Sequence, residues 1–131
     1  DKNMVESGEG YAPLPEDRRA EWHIPAGSEA TGVWYGDALI GAFALADEGD
    51  ALRLTQYALA PEWRGKGLGI PPMGQVIDAC LKKGRPALRI SCPDKTLRPF
   101  FARLGFLPTA GDDMEKDVRR ILPPVPAAYR T

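Results

Sequence analysis

The sequence is poor in the residues that build metal sites, disulfide frameworks and membrane anchors. Its 131 residues include two cysteines and one histidine. Cys80 and Cys92 form no CxxC pair and lie far along the chain from His23. A thiolate–imidazole cluster thus lacks both ligands and spacing; the cysteines are read as small core hydrophobes in a reducing compartment, and no metal is expected. No run approaches the roughly 20 apolar residues of a membrane-spanning helix, and no basic-then-apolar leader opens the chain. Membrane contact is therefore not expected, and the cytoplasm is the expected location. An excess of one charge is missing too: 17 Lys and Arg against 18 Asp and Glu leave a net charge of -1. Proteins that hold nucleic acid without regard to sequence do so by neutralising phosphates, so nucleic acid is not an expected partner. The length suffices for one hydrophobic core without staples, and residues 1–131 are read as a single domain.

From Asp1 to Glu29 the chain is polar and rich in Gly and Pro, and only "PEDRRAEW" has a composition that can wind into a helix. "ATGVWY" and "ALIGAFALA" read as strands about a Gly36-Asp37 hairpin turn. After "DEGD" a third run, "ALRLTQYALA", completes an antiparallel meander ending near Ala60. In that run Leu52 and Leu54 share one face, while Tyr57 and Leu59 fall on the other. Two causes fit the slip. One is a β-bulge around Thr55 to Tyr57, which bends the strand and releases its end from a neighbour; the other is a strand covered on both faces. Met73, Val76, Ile77, Cys80 and Leu81 recur at helical spacing, with Gln75, Asp78, Lys82 and Lys83 facing outward. Lys82, Lys83, Gly84 and Pro86 then stop the helix. "ALRISC" alternates as a fourth strand, and "DKTLRPFFARLGF" reads as a second helix starting between Thr96 and Pro99. "FLPTA" and "MEKDVRRIL" read as a closing strand pair, the second equally as a short helix, and residues 123–131 as an extended tail.

Between the meander and the first helix lies "PEWRGKGLGIPP". The first N–H groups of a helix have no intrahelical acceptor and, with the helix dipole, attract an anion such as a pyrophosphate. Gly65, Gly67 and Gly69 remove the β-carbons that would hold a phosphate away, while Arg64 and Lys66 bring charge. Two other phosphate loops do not match. A P-loop needs Lys-Ser/Thr after its last glycine, whereas Ile70 follows here, and the dinucleotide fingerprint needs G-x-G-x-x-G opening a parallel βαβ unit. The bland reading is a close-packed strand-to-helix turn. Pro71 and Pro72 fit either reading if they occupy the first helical turn, where a missing N–H costs least.

Arg64-Gly65-Lys66-Gly67-Leu68-Gly69 follows the pattern Q/R-x-x-G-x-G/A with "LAPEW" before it, and "DKTLRPFFARLGF" follows N-x-x-A-x-x-L-Y-x-x-x-G-F. In these two motifs, one helix and one strand apart, the chain resembles the GCN5-related N-acetyltransferase (GNAT) superfamily. The resemblance runs from about Ala30 to Phe106. It implies an α+β fold: a mixed, mostly antiparallel sheet flanked by helices, in which two parallel strands splay into a V that takes the pantetheine arm of acetyl-CoA. It further implies that backbone around Leu59 meets the acyl end of the cofactor and that amides from Gly65 through Leu68 to Gly69 cradle its pyrophosphate, assisted by Arg64 and Lys66. Asp94 and Phe101 would line the thiol end, and Arg98 would either reach the adenosine phosphates or stand as an exposed helical arginine.

The chain also departs from the family. Phe101 occupies the position where many members place a Tyr that protonates the departing thiolate, and a phenyl ring has no proton to give. "LRLTQY" offers no acid or histidine where members place a base, so Tyr57 and Ser91 are the candidate stand-ins, with packing as the plain alternative for Tyr57. Residues 1–29 are too short and proline-rich for the family's usual strand and helices that wall the acceptor site. That wall is then reduced, supplied by a second chain as in a homodimer, or borrowed from the tail after Leu122. Trp22, Trp34 and Tyr35 line an acceptor groove or belong to the core, the core being favoured for Trp34. His23 is a base if its segment folds over the cleft and a surface residue otherwise; Glu62 is read as structural. Asp112, Asp113, Glu115 and Asp117 bind a cation or amine or, lacking calcium-loop spacing, form a solvated turn. The function implied is transfer of acetyl from acetyl-CoA to a primary amine. A non-catalytic acyl-CoA sensor acting on a protein partner is the second reading, favoured by Phe101 and the reduced N-terminus.

Overall fold

The computed structural model of the chain describes residues 3–4, 9–63 and 70–119. Among these residues the strands are β1 (Asn3–Met4), β2 (Glu9–Pro13), β3 (Glu29–Tyr35), β4 (Ala38–Asp47), β5 (Leu52–Leu59), β6 (Ala87–Ser91), β7 (Leu107–Pro108) and β8 (Asp113–Asp117). Helix α1 (Ile70–Lys82) links β5 to β6, and α2 (Arg98–Arg103) links β6 to β7. The strands form one sheet in the order β1-β2-β3-β4-β5-β6-β8-β7. Every pairing is antiparallel except β5 with β6, as a helical crossover between neighbouring strands requires. The mixed, mostly antiparallel sheet flanked by helices is thus the fold expected from the sequence.

The meander follows from its turns. Tyr35 pairs with Ala38 across a two-residue loop, and Gly36 at φ 60 supplies the positive dihedral such a turn needs. The core lies between the sheet and α1: Leu52, Leu54, Leu88, Ile90 and Met114 alternate onto that face and meet Met73, Val76, Cys80 and Phe106. A fully buried Leu or Phe side chain contributes roughly 1.5–3 kcal/mol over an exposed one, so this face holds the molecule together. Both cysteines are buried and free, and burial pushes the Cys80 thiol above its ordinary pKa. Helix α1 ends as its sequence signals: Gly84 at φ 74 lets its own amide reach Leu81 O and the Arg85 amide reach Cys80 O. Pro71 and Pro72 stand in its first turn.

Four expectations resolve or change. The slip in β5 is a bulge: Ala44 pairs with Gln56 but Leu45 pairs with Leu54, leaving Thr55 as the extra residue. "PEDRRAEW" winds only one 3-10 turn, Glu16–Arg18, followed by turns through His23, because three residues between Pro15 and the next turn cannot sustain an α-helix. Leu81 is 43 % exposed instead of joining the inward stripe, which at this end of α1 runs through the fully buried Cys80 beside it. Residues 113–117 of "MEKDVRRIL" and its lead-in are a strand, β8, in which Met114 and Lys116 are buried while Glu115 faces the opposite side.

Of the acidic cluster only Asp112 lies in an exposed turn; Asp113, Glu115 and Asp117 are on β8. Arg53 of β5 bonds Glu48 at 2.7 Å and Asp113 at 3.2 Å; Arg89 of β6 bonds Glu48 at 3.2 Å, Asp50 at 2.8 Å and Glu115 at 2.8 Å. The strand registers Arg53↔Arg89 and Arg89↔Glu115 bring these groups into one row on the face away from α1. The guanidiniums of Arg53 and then Arg89 hold the Glu48 carboxyl below its ordinary pKa, and Arg89 does the same for Asp50.

Candidate active site

β5 has two halves. Up to Leu54 it pairs with both β4 and β6, and Leu54↔Ile90 is the last rung it shares with β6. From the bulge onward its ladder among the described residues is with β4, as Gln56↔Ala44 through Leu59↔Gly41. Leu54 and Tyr57 both pack against the core, so the two residues between them turn to the opposite face. There the Thr55 hydroxyl meets that of Ser28 at 2.8 Å, and Gln56 Nε2 donates to the carbonyl of Trp22 at 2.9 Å. Arg19 braces the same N-terminal loop, donating to the carbonyls of Pro25 and Ser28 at 3.0 Å each. The loop that the sequence left unreadable is therefore fastened to the bulge.

Three cavities share this stretch of β5. Between the splayed ends of β5 and β6 lies a cleft of about 190 Å³ whose lining includes Thr55, Gln56, Tyr57, Ser91, Asp94 and Phe101. On the loop side a second cleft of about 500 Å³ is lined by Glu21, Trp22, His23, Gln56, Leu59 and Glu62, among others. A third of about 160 Å³ lies beneath Pro72, against Phe43, Tyr57 and Leu59. Gln56 borders the first two, Tyr57 the first and third, and Leu59 the second and third.

The sequence candidates among the described residues have definite places. Leu59 lies opposite Gly41, where a β-carbon would stand 2.6 Å from Ala58 O and 2.8 Å from Leu59 Cδ2; glycine lets the end of β5 sit close to β4. The amide of Tyr57 donates to Gln56 Oε1 at 2.9 Å, so one side chain grips both its own strand and the loop. Ser91, at the end of β6, is exposed on the rim of the splay. Asp94 accepts from the Thr96 hydroxyl at 2.7 Å and the Thr96 amide at 2.9 Å, and these bonds hold its carboxyl below the ordinary value. Phe101 packs edge-on against Phe100 and Phe106, with centroids 5.2 and 5.7 Å away. Arg98 donates to the carbonyls of Cys92 at 2.9 Å and Asp112 at 3.2 Å, bracing the loops at the mouth of the splay. Arg64, Gly65, Lys66, Gly67, Leu68 and Gly69 lie outside the described residues.

Tyr57, Ser91, Asp94 and Phe101, scattered along the sequence, thus border one cleft. Trp22 and His23 border the neighbouring one, whereas Tyr35 stacks on Trp63 at 5.1 Å and Trp34 lies over Gly32. Sequence reasoning missed Thr55, Gln56 and Ser28 as the fastening of the loop. Its signal was the pair of polar residues at the point where the apolar alternation slips.

A bulged strand parting from its parallel neighbour directly before a turn and helix is a strong fold marker, and the family comparison agrees. The model of the acetyltransferase (GNAT) domain matches residues 15–123. The chain belongs to the GNAT acetyltransferase family. Among solved structures, a GNAT acetyltransferase from Elizabethkingia anophelis with acetyl-CoA bound superposes with a TM-score of 0.70 at 13% identity, over 86% of this chain and 99% of that one. The ribosomal-protein-S18-alanine N-acetyltransferase from Escherichia coli gives 0.68 at 16% identity, over 84% and 94%. The IAA acetyltransferase from Bacillus cereus gives 0.66 at 12% identity, over 83% and 99%. At such identities the likeness concerns the fold. Comparison with curated protein sequences returned no match. Between β2 and β3 the described residues form one 3-10 turn and the fastened loop, where the resemblance implied helices. Among the described residues no helix is long and apolar enough to cross a membrane.

Proposed function

We propose that the chain is an N-acetyltransferase that moves an acetyl group from acetyl-CoA to a primary amine. The observation that carries this reading is the meeting of two clefts at Gln56, one inside the splay and one under the N-terminal loop. A donor held in the first and an acceptor held in the second would face each other across a single residue. Such placement converts a bimolecular encounter into a positioned reaction.

The residues fit an acyl-CoA. Past Leu54, β5 shares no further rung with β6 among the described residues, and an extended arm bearing amides can lie along a strand edge as another strand would. The cleft walls supplied by Tyr57, Leu97 and Phe101 are apolar enough for its methylenes. Leu59 backbone, Asp94 and the Gly65–Gly69 turn, with Arg64 and Lys66, are the residues we assign to holding it. Bound acetyl-CoA supplies the thioester, whose C–S bond breaks as the amine nitrogen forms the C–N bond, the sulfur leaving as thiolate. The chain's own share is orientation. Gln56 stiffens the bulge by bonding at both ends of its amide, and Phe101 closes the thiol end without donating a proton.

Calorimetry with acetyl-CoA tests the reading. Binding is expected, and substitution of Gly67 by Trp is expected to abolish it; absence of binding at millimolar ligand would overturn the reading, and unchanged affinity in Gly67→Trp would remove the turn from the site. Release of CoA is then followed over a panel of primary amines. The packed Phe101 favours one second reading, an acyl-CoA sensor, which predicts tight binding with release held at the background rate.

A further inference from the structure

We infer that His23 is the general base that takes the proton from the acceptor's ammonium group. The inference rests on the proposed acetyltransfer and concerns the second cleft. β5 presents Thr55 and Gln56 where an acid or histidine would face the acceptor, and neither side chain can take up a proton near neutral pH. Both are committed instead to fastening the N-terminal loop, and His23 is the residue directly after the carbonyl that Gln56 grips. The strand thereby carries its base on a tethered loop.

The loop's geometry supports that role. His23 sits at φ 55, the one non-glycine residue at positive φ among the described residues. A side chain seldom adopts this backbone without something to hold it, and here the bonds from the His23 amide to Ala20 O at 3.2 Å and from Ile24 to Arg19 O at 3.1 Å fix the turn. The result puts His23 among the residues lining the 500 Å³ cleft and leaves it exposed to solvent, to which its ring can pass the proton on. Two other titratable groups line the same cleft. Glu21, on the loop, is bound by Arg18 at 2.8 and 3.0 Å, and this pairing keeps its carboxyl below the ordinary pKa, making it a poor base. Glu62 stands across the cleft on the turn that follows β5. Two carboxylates about a cleft favour a cationic acceptor, and the imidazole, whose ring nitrogen can accept a proton and release it again, is the member of the set that we assign to taking the acceptor's proton. The step moves one proton, from the acceptor's ammonium to the imidazole ring, and leaves the nitrogen lone pair free to attack.

The positive φ also provides a clean variant. Glycine adopts φ 55 without strain, so His23→Gly removes the ring and keeps the loop. With n-butylamine and spermidine as acceptors, His23→Gly is expected to lower kcat/KM at pH 7 at least tenfold, to displace the acidic limb of the pH profile upward toward the acceptor's own deprotonation, and to regain rate when imidazole is added. Because His23 is the chain's one histidine, its ring C2 proton gives a single NMR signal without any acyl donor present. That signal is expected to shift on addition of spermidine. Absence of transfer by the parent protein, with acetyl-CoA bound or not, overturns both the function and this role. Transfer by the parent with His23→Gly unchanged overturns the base assignment alone, as does a His23→Gly pH profile whose acidic limb stays where the parent's lies.

Discussion

The two halves of β5 have the same strand for a backbone and opposite surroundings. From Leu52 to Leu54 the strand lies between two neighbours, with buried leucines on one face and Arg53 in a row of ion pairs on the other. From Thr55 to Leu59 its ladder among the described residues is with β4, and its side chains border three cavities. One inserted residue separates these regimes. The closed half supplies stability and the open half supplies room: among the described residues the strand is laddered on both sides up to Leu54 and shares no rung with β6 beyond it.

Three substitutions or conditions test that division. The largest effect is expected in the closed half: Leu88→Ala, at a fully buried position beside Leu52, should cost about 2–5 kcal/mol in denaturant unfolding. Acetyl-CoA affinity of the fraction that stays folded should change little. A large change in affinity at temperatures below the transition would show that the halves are not separable. In the open half, Phe101→Tyr should raise the rate of CoA release about tenfold or more by placing a proton donor where we propose that the thiol end is held, while moving the unfolding midpoint little. An unchanged rate would mean that thiolate protonation does not limit turnover. The smallest effect concerns the ion-pair row. Glu48 and Asp50 are held below their ordinary pKa values, so their contribution to stability is present above the unfolded-state values of about 4 and is lost as pH falls toward the depressed folded ones. The melting temperature should therefore fall on acidification from about pH 4 downward. In Arg89→Met the fall should be shallower, because Asp50 loses its partner and Glu48 one of its two. Each pair is partly exposed, so the change is modest.

Much of this was legible in the residues. The Gly36-Asp37 turn, the inward stripe of α1 with its glycine stop, and the alternation in β6 are local features whose physics lies within a few residues of chain. The slip from Leu54 to Tyr57 announced either a bulge or a doubly covered strand, and the pairing of Ala44 with Gln56 decided for the bulge. Other features lay beyond sequence reasoning because they are pairings between distant segments. Asp113 and Glu115 look like a solvated acidic cluster until the sheet brings Arg53 and Arg89 beside them. Residues 14–28 carry no helical or strand periodicity to read, and their place is decided by hydrogen bonds to Thr55 and Gln56.

The sequence by itself determined the kind of fold and the family, since both reside in short motifs with fixed spacing: the glycine turn after a slipped strand and the "DKTLRPFFARLGF" helix. It also determined that position 101 carries a ring without a proton. Only the tertiary structure decided which residues surround the open end of β5. Gln56, Trp22 and His23 become neighbours through a hydrogen bond spanning 34 positions, and no local preference encodes a contact of that range.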